Sequence, residues 1–424
     1  MQQEIYPKEL HQLDIRQVDK EALYVLEKLT ASGYEAYLVG GGVRDLLLQK
    51  KPKDYDISTS AEPEQIKKLF RNCILIGRRF RLAHIRFGKK IIEVSTFRSG
   101  DPENDALIIR DNEWGSSEED VLRRDFTING LFYDAAKETV IDYVGGFEDL
   151  EKGLLKSIGQ PFIRFKQDPV RMLRLLKFKA RFGFSIDQEA HIALIETKHE
   201  ITKSAPARIL EELLRMLELG SSHSFFTLLI EYGFLQLILP GLSSFIETRE
   251  GVEIYLFLEE IDRFALEGEP LNRAVALSCL IFPLLQKRIK ALFASREKPP
   301  HLGEIQEEAF ALFHESFEFF FHIPKRIKME VISIVTTQFR LTPLEKRKSK
   351  TLRAPNDPNF GLALTFLHIR SCLEPGLQKI SAEWQKTVKN TEEMQESPAS
   401  PKKKRKRRKS FRTSDKSSND PETT

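Results

Sequence analysis

The chain has 424 residues, a formal net charge of +4, 41% hydrophobic residues and three cysteines. This length predicts two or three domains, and the hydrophobic content is sufficient for packed cores. The three cysteines lack metal-ligand spacing and a disulfide pattern, which indicates a reducing compartment. The N-terminus lacks a signal-peptide pattern, and no apolar run approaches the roughly 18 residues of a membrane span. These features exclude secreted and membrane classes and predict a cytoplasmic protein with no membrane partner.

Charge is distributed unevenly along the chain. Residues 401–424 contain ten Lys or Arg and three Asp or Glu, a net charge of +7, which leaves −3 for the other 400 residues. Eight consecutive cations at 402–409 favour non-specific attraction to a polyanion, and a nuclear-import signal is the less favoured alternative. Residues 387–424 also contain few apolar side chains, so a disordered basic tail is predicted.

The first part of the chain alternates between helical and strand patterns, which predicts an α/β head over residues 20–154. The predicted elements are helices over 20–31, 43–49 and 62–70, strands over 34–39 and 54–57, a hairpin over 83–97, and short segments over 127–133 and 139–143.

Beyond residue 155 helical periodicity dominates, which predicts an all-α neck over 155–220 and an α-helical body over 221–386. The predicted helices cover 168–182, 189–197, 206–219, 224–232, 252–266, 271–290, 304–320 and 325–336.

Two aspartates at positions 54 and 56 are the strongest candidates for a metal site. Residues i and i+2 of a strand point to the same side, so Asp54 and Asp56 are predicted to project together. Paired carboxylates repel unless a cation lies between them, and hard oxygen ligands suit Mg²⁺ or Mn²⁺. The alternative is a solvated turn residue followed by an edge-strand residue.

Three glycines at 40–42 precede these acids. Gly41 and Gly42 would let the backbone approach a ligand, a helix beginning near Val43 would point its N-terminus at an anion, and Arg44 would add a forked donor. A plain tight turn is the alternative for the glycines alone. Together with the acids, they predict a site for a metal-bound polyphosphate.

A third carboxylate would complete a two-metal site. Glu93 lies in an otherwise apolar strand, where a charge is costly without a partner, although an outward-facing surface position is the alternative. Asp125, in the segment RRDFTIN, is the other candidate, and the sequence leaves the choice open.

Six short segments follow one another along the chain: 40–45 (GGGVRD), 54–57 (DYDI), 123–129 (RRDFTIN), 142–146 (DYVGG), 168–174 (DPVRMLR) and 206–212 (PARILEE). They resemble, in this order, the motifs of the class II template-independent nucleotidyltransferases. That family includes bacterial poly(A) polymerases and tRNA CCA-adding enzymes, and the resemblance implies a polymerase-β-like head. Blocks at 75–85 and 110–120 resemble the poly(A) polymerase branch. This implies transfer of AMP from ATP to RNA 3′ ends, with a CCA-adding polymerase as the alternative enzyme. A non-catalytic RNA-binding protein is less favoured, and the oligomeric state, possibly a monomer, stays open.

The resemblance also implies roles for individual residues. Asp54 and Asp56 would hold two Mg²⁺ (or Mn²⁺), with Glu93 or Asp125 completing the catalytic set. The implied nucleotide-binding residues are Gly41, Gly42, Arg44, Asp45, Arg123, Arg124, Asn129, Asp168, Arg171 and Arg174.

Base selection is assigned by the resemblance to a pair of residues at the start of one helix. Asp168 would accept from the exocyclic amine of the base and Arg171 would donate to the adjacent ring nitrogen, which suits adenine and cytosine but not uracil or guanine. The alternative role of Asp168 is an N-cap ahead of Pro169. The family motif usually begins with Glu, where this chain has Gln167. Such a Gln cannot pair ionically with Arg171.

The same helix presents a basic arc. Arg171, Arg174, Lys177 and Arg181 fall on one side at helical spacing. This arc is either a solvated face or, in part, the lining of a nucleotide and RNA cleft.

Overall fold

The structure is a computed structural model that describes residues 3–77, 81–99, 113–296, 298–344, 355 and 357–396, with side chains described as far as residue 388. Parts of the 75–85 and 110–120 blocks, and the basic run at 402–409, lie outside the described residues. None of the helices in the described part of the chain is long and apolar enough to cross a bilayer.

The head is built on a mixed sheet of eight strands in the order β1-β8-β7-β2-β3-β6-β5-β4. The strands are β1 (Glu4–Tyr6), β2 (Ala36–Val39), β3 (Asp56–Thr59), β4 (Cys73–Ile76), β5 (Leu82–Phe87), β6 (Lys90–Thr96), β7 (Phe132–Asp134) and β8 (Thr139–Asp142). Only β3 and β6 pair in parallel; the other neighbours are antiparallel. Because β1 pairs with β8, the sheet takes in residues that precede the predicted start of the head at residue 20.

Six helices accompany this sheet: α1 (Lys8–His11), α2 (Lys20–Ala31), α3 (Gly41–Leu47), α4 (Pro63–Leu69), α5 (Ser117–Leu122) and α6 (Gly146–Lys152). The periodicity of residues 20–31 is realised in α2, whose residues Val25 and Leu29 are buried and whose first turn is capped by Asp19. The predicted hairpin is also present, with β5 and β6 joined at Gly88.

Two details near the glycines differ from the sequence prediction. Helix α3 begins at Gly41, so Gly41 and Gly42 form its first turn, and only Gly40 adopts a left-handed conformation (φ 65°). One residue with positive φ is enough to reverse the chain between β2 and α3. Strand β3 begins at Asp56 rather than at residue 54, and Asp54 lies in the preceding loop.

The neck contains α7 (Pro161–Gln167), α8 (Val170–Phe182), α9 (Gln188–Thr197) and α10 (Pro206–Met216). It also carries a two-stranded parallel ribbon between β9 (Leu154–Leu155) and β10 (Ser185–Ile186). The predicted N-cap role of the Asp168 side chain is wrong, since Pro169 occupies the N-cap of α8 and no side chain caps it. Asp168 instead ends α7, and its carboxylate accepts from Arg208.

The body is helical: α11 (Ser222–Glu231), α12 (Phe234–Ile238), α13 (Pro240–Ile246), α14 (Val252–Leu266), α15 (Arg273–Ala294), α16 (Leu302–Phe313), α17 (Lys325–Leu341), α18 (Phe360–Leu373) and α19 (Gln378–Glu396). One hydrophobic core runs from the head through the neck into this body. Helix α19 packs on α18 through the buried Trp384. Its last ten residues, 387–396, fall within the predicted tail.

Candidate active site

A cleft of about 570 Å³ lies where the head meets the neck, and ten cationic and seven acidic side chains line it. The structure brings nearly every predicted site residue to this cleft. The lining includes Gly41, Gly42, Arg44, Asp45, Asp54, Asp56, Arg123, Arg124, Asp125, Asn129, Asp168, Arg171 and Arg174. Glu93 is the only predicted site residue that is not part of the lining.

Asp56 is the most electrostatically strained carboxylate of the cleft. It begins β3, directly opposite Glu93 of β6, while Asp54 lies two residues before it. Desolvation by the surrounding protein, followed by repulsion from Glu93 and Asp54, raises the pKa of Asp56 to about 6, although the residue as a whole is exposed. Helix α3 helps to place the loop, because a side chain at Gly42 would begin 3.4 Å from the Asp54 carbonyl oxygen.

The two candidates for a third carboxylate have opposite surroundings. Asp125 is buried and forms an ion pair with Arg174 (2.8 Å), while the Asn129 amide and the Phe126 N–H donate to its other oxygen. Burial opposes its ionisation, but the neighbouring arginines and these hydrogen bonds prevail and lower its pKa to about 2. Glu93 is half exposed and adjoins Asp56, and among the described residues its one ion-pair partner is His84 at 3.4 Å. Asp125 is therefore already neutralised, and Glu93 is not.

Arg44 and Asp45 form a buried unit at the glycine end of the cleft. The Arg44 guanidinium donates to Asp45 (2.7 and 3.0 Å) and to the Asn129 amide oxygen, and it lies 4.8 to 5.0 Å from the ring centres of Phe178 and Phe182. Burial lowers the pKa of Arg44. This contact network ties α3 to the turn at Asn129.

The adjacent arginines 123 and 124 project from the end of α5. Arg124 donates to Asp120 (2.8 Å) and to the Ser58 hydroxyl (3.1 Å), and packs over the ring of Phe132. Arg123 donates to the Ser99 carbonyl, and burial, followed by repulsion from nearby arginines, lowers its pKa to about 10. Arg123 therefore still carries its positive charge at neutral pH.

The predicted base-reading pair is present, but Arg171 is engaged elsewhere. Its two terminal nitrogens donate to the Arg123 and Arg124 carbonyls (2.7 and 2.8 Å), while its Nε lies 3.9 Å from Asp168. One Asp168 oxygen accepts from Arg208 (2.8 Å), and the other is buried without a hydrogen-bond partner in the described structure. An unpaired acceptor at the cleft suits a donor on a ligand, such as an exocyclic amine.

Gln167, which stands where the family motif usually has Glu, is buried and contacts Arg164. Its amide oxygen accepts from Arg164 (3.0 Å), which also donates to the Leu122 and Arg124 carbonyls. Burial, followed by repulsion from Arg171 and Arg123, lowers the pKa of Arg164 to about 9. Arg164 and Arg171 thus hold the backbone of the 122–124 segment from two sides.

The basic arc of α8 lines the cleft rather than forming a solvated face. Arg174 pairs with Asp125, Lys177 with Glu212, and Arg181 with Asp45 (2.8 Å). Sequence reasoning missed five further charged lining residues, which are Lys53, Glu211, Arg215, Glu218 and Arg273. Glu211 and Arg215 belong to α10, Glu218 follows it, and Arg273 begins α15. The 206–212 motif could have indicated that α10 lines the cleft. No sequence pattern indicated that Arg273 would pair with Glu211 and Glu218.

The acidic residues fit a hard divalent cation in donor chemistry. The Asp56 carboxylate accepts no hydrogen bond from the described residues, which leaves its oxygens free to bind a cation. In the described part of the chain, no three His, Cys, Asp or Glu side chains already form a closed metal-binding group. Asp54, Asp56 and Glu93 could hold such an ion after side-chain rotation.

Three family models match the chain in order. Residues 36–156 match the Poly A polymerase head domain, 183–246 the probable RNA and SrmB-binding site of polymerase A, and 306–417 the arginine-rich C-terminus of polymerase A. The last match reaches into the basic segment that lies outside the described residues.

Relatives match over most of the chain. Poly(A) polymerase I of Escherichia coli O157:H7 is 36% identical over 413 residues, which are 91% of this chain and 84% of the relative. Poly(A) polymerase I of Haemophilus influenzae is 35% identical over 394 residues, with 88% and 85% covered. A CC-adding tRNA nucleotidyltransferase of Halalkalibacterium halodurans is 37% identical over 231 residues, which cover only 54% and 57%.

A solved structure supports the fold. The Bacillus stearothermophilus CCA-adding enzyme in complex with CTP has a TM-score of 0.56 and 22% identity, covering 90% of this chain and 89% of its own. With the family matches and the full-length relatives, this confirms the expected nucleotidyltransferase head followed by a helical body. The chain belongs to the bacterial poly(A) polymerase family of nucleotidyltransferases.

Proposed function

We propose that the cleft transfers AMP from ATP to the 3′-hydroxyl of RNA and releases pyrophosphate, so that repeated cycles polyadenylate the RNA. The observation that carries this proposal is Asp56, an exposed carboxylate directly opposite Glu93 and two residues from Asp54, in a cleft lined by ten cationic and seven acidic side chains. Carboxylates of this kind suit divalent cations, and the cations opposite suit a triphosphate. The match to poly(A) polymerase I over about nine tenths of the chain supports RNA as the acceptor.

Asp54, Asp56 and Glu93 would hold Mg²⁺ or Mn²⁺, which supplies activation of the attacking hydroxyl and neutralisation of the leaving group when bound. The positive charges of Arg123 and Arg124 lie next to these acids, where they favour the phosphates of the incoming nucleotide. The Arg44–Asn129 contact would hold both flanks of the nucleotide site in register. Catalysis then consists mainly of positioning and charge neutralisation.

The proposed base selection depends on Asp168. Its unpaired oxygen would accept from the exocyclic amine of adenine, while Arg171 would donate to the neighbouring ring nitrogen. Arg171 would have to release one of its two carbonyl contacts or use its Nε for this step. Uracil and guanine present the opposite polarity and would leave both groups unpaired, which is costly inside a protein.

The test offers each nucleoside triphosphate separately to a generic single-stranded RNA and to a tRNA that lacks its CCA end. We expect long A tracts on both acceptors with ATP, and poor use of CTP, UTP and GTP. Addition of only C, C and A, restricted to the trimmed tRNA, would contradict polyadenylation and assign the chain a CCA-adding activity. RNA binding without any incorporation would contradict both and leave a non-catalytic protein.

A further inference from the structure

A row of residues crosses the sheet beside the catalytic acids. Ile74 of β4 lies opposite His84 of β5, His84 lies opposite Glu93 of β6, and Glu93 lies opposite Asp56 of β3. Residues directly opposite one another on neighbouring strands share a face of the sheet. His84 therefore lies on the same face as the carboxylates and next to Glu93.

One ring nitrogen of the His84 imidazole has no hydrogen-bond partner among the described residues. The side chain is only 16% exposed, and the nitrogen without a partner, Nδ1, is buried. On the same face its neighbours are Ile74 opposite on β4, and Leu82 and the exposed Arg86 two residues away on β5. A buried polar atom that lacks a partner destabilises a fold, so an aliphatic residue would serve packing better here.

The one polar contact of His84 among the described residues is with Glu93. Its Nε2 lies 3.4 Å from the Glu93 Oε1, at the outer limit of a hydrogen bond. Because the Glu93 side chain is half exposed, a small rotation brings the two atoms closer. Because Glu93 lies between His84 and Asp56 in this row, a contact of one Glu93 oxygen with His84 leaves the other oxygen for the Asp56 side.

We propose that His84 is a positioning residue, whose Nε2–H holds the Glu93 carboxylate next to Asp56 so that the third oxygen donor for the divalent cation is set in advance. This inference rests on the proposed function, in which Asp54, Asp56 and Glu93 hold the metal. Partners of metal ligands orient the ligand and strengthen the site, and their loss typically weakens metal affinity by about 10- to 100-fold. His84 would act through Glu93 without touching substrate.

Two variants of His84 separate positioning from packing. His84→Leu removes the donor and fills the space with an aliphatic group, while His84→Gln retains an N–H close to the position of Nε2. The readout is Mn²⁺ affinity of the full chain without nucleotide, measured by the electron paramagnetic resonance of free Mn²⁺, together with the melting temperature. We expect His84→Leu to weaken Mn²⁺ affinity about tenfold or more, with an unchanged or higher melting temperature. His84→Gln should stay within a few-fold of the parent.

Controls in the same titration distinguish this inference from the proposed function. Asp56→Asn should lose most of the Mn²⁺ affinity, and Glu93→Gln should weaken it at least as much as His84→Leu. If Asp56→Asn binds Mn²⁺ normally, the proposed metal site itself fails. If Asp56→Asn loses binding while Glu93→Gln or His84→Leu retains parental affinity, the metal site stands and the role of His84 is refuted. Loss of folding in His84→Leu would also refute it, because the imidazole would then be structural.

Discussion

At the scale of single residues, two arginines at the head–neck junction are held mainly by backbone carbonyls, whereas most arginines of the cleft pair with acids. Arg164 and Arg171 both donate to carbonyls of residues 122–124, the segment that carries Arg123 and Arg124. These contacts keep several guanidinium groups close together without a matching number of carboxylates. The result is a concentrated positive field beside Asp56, which suits a polyanionic substrate.

Replacing Arg171 tests the base-reading assignment. Arg171→Ala should lower the ratio of kcat/KM for ATP over UTP by about tenfold or more, because a good polar contact to a base contributes about 1–3 kcal/mol of discrimination. Arg181→Ala is the matched control, since Arg181 is another cation of α8 at the cleft but pairs with Asp45. The control should leave the ratio unchanged. Equal ratios in the parent and Arg171→Ala would remove Arg171 from base selection.

Asp125 offers a pH test of its structural role. Its pKa is lowered to about 2 in the folded protein, against 3.8 as its ordinary value. The stability it contributes is therefore fully present above pH 4 and lost as pH falls from about 4 to 2, an effect of about 2 kcal/mol. Denaturant titrations of the parent and Asp125→Asn should show the variant less stable at pH 7, with the difference shrinking below pH 4. A pH-independent difference would contradict this account.

At the scale of elements, amphipathic periodicity predicted most helices because burial of one face decides where they form. The bounds of α14 match the predicted 252–266, and α2 matches 20–31. Short elements such as α6, α12 and β9 escaped prediction because two to seven residues carry too little periodicity. The glycine turn could not be predicted in detail for a different reason. One positive φ at Gly40 suffices, so the sequence could not reveal that Gly41 and Gly42 are helical.

The site was predicted better than its contacts. Motif residues scattered from Gly41 to Arg174 meet in one cleft, as the resemblance implied. The engagement of Arg171 by backbone carbonyls could not be predicted, because carbonyls have no sequence signature. The position of Arg273 at the cleft could not be predicted either, because it depends on how α15 packs against α10.

The packing of α6 onto the turn at residues 127–129 is testable with one methyl group. A Cβ at Gly146 would lie 2.1 Å from the Thr127 carbonyl oxygen, so Gly146→Ala must displace the turn that carries Asn129. We expect a loss of about 1–3 kcal/mol in unfolding free energy and reduced activity. Gly241→Ala in α13 is the control, since nothing lies within 4 Å of its Cβ position, and it should be neutral or stabilising. Equal melting temperatures for both variants would contradict the proposed packing.

At the scale of the whole molecule, the active-site residues precede residue 274 while the strongest positive charge lies at 402–409. This separation predicts that the C-terminal segment contributes to RNA affinity and not to chemistry. Truncation after Glu396, which preserves α19, should weaken RNA binding and leave turnover at saturating RNA nearly unchanged. A slope of log affinity against log salt reduced by about 3 would correspond to roughly four phosphate contacts at about 0.7 each.

The matched control keeps the length and replaces the eight cations at 402–409 with Gln. It should reproduce the slope of the truncated chain, because the effect is assigned to charge. Equal slopes for the parent and both variants would show that the segment does not contact RNA, and its charge would then require a different partner.

The most direct test of the whole account is the rate of AMP incorporation by Asp56→Asn under single-turnover conditions with saturating ATP, RNA and Mg²⁺. Removing a carboxylate from the centre of the acidic group should lower the rate on the order of 10³-fold or more. The melting temperature should not fall, since Asp56 is repelled by Glu93 and Asp54 in the metal-free fold. A folded Asp56→Asn variant with a near-parental rate would contradict the assignment of this cleft as the catalytic centre.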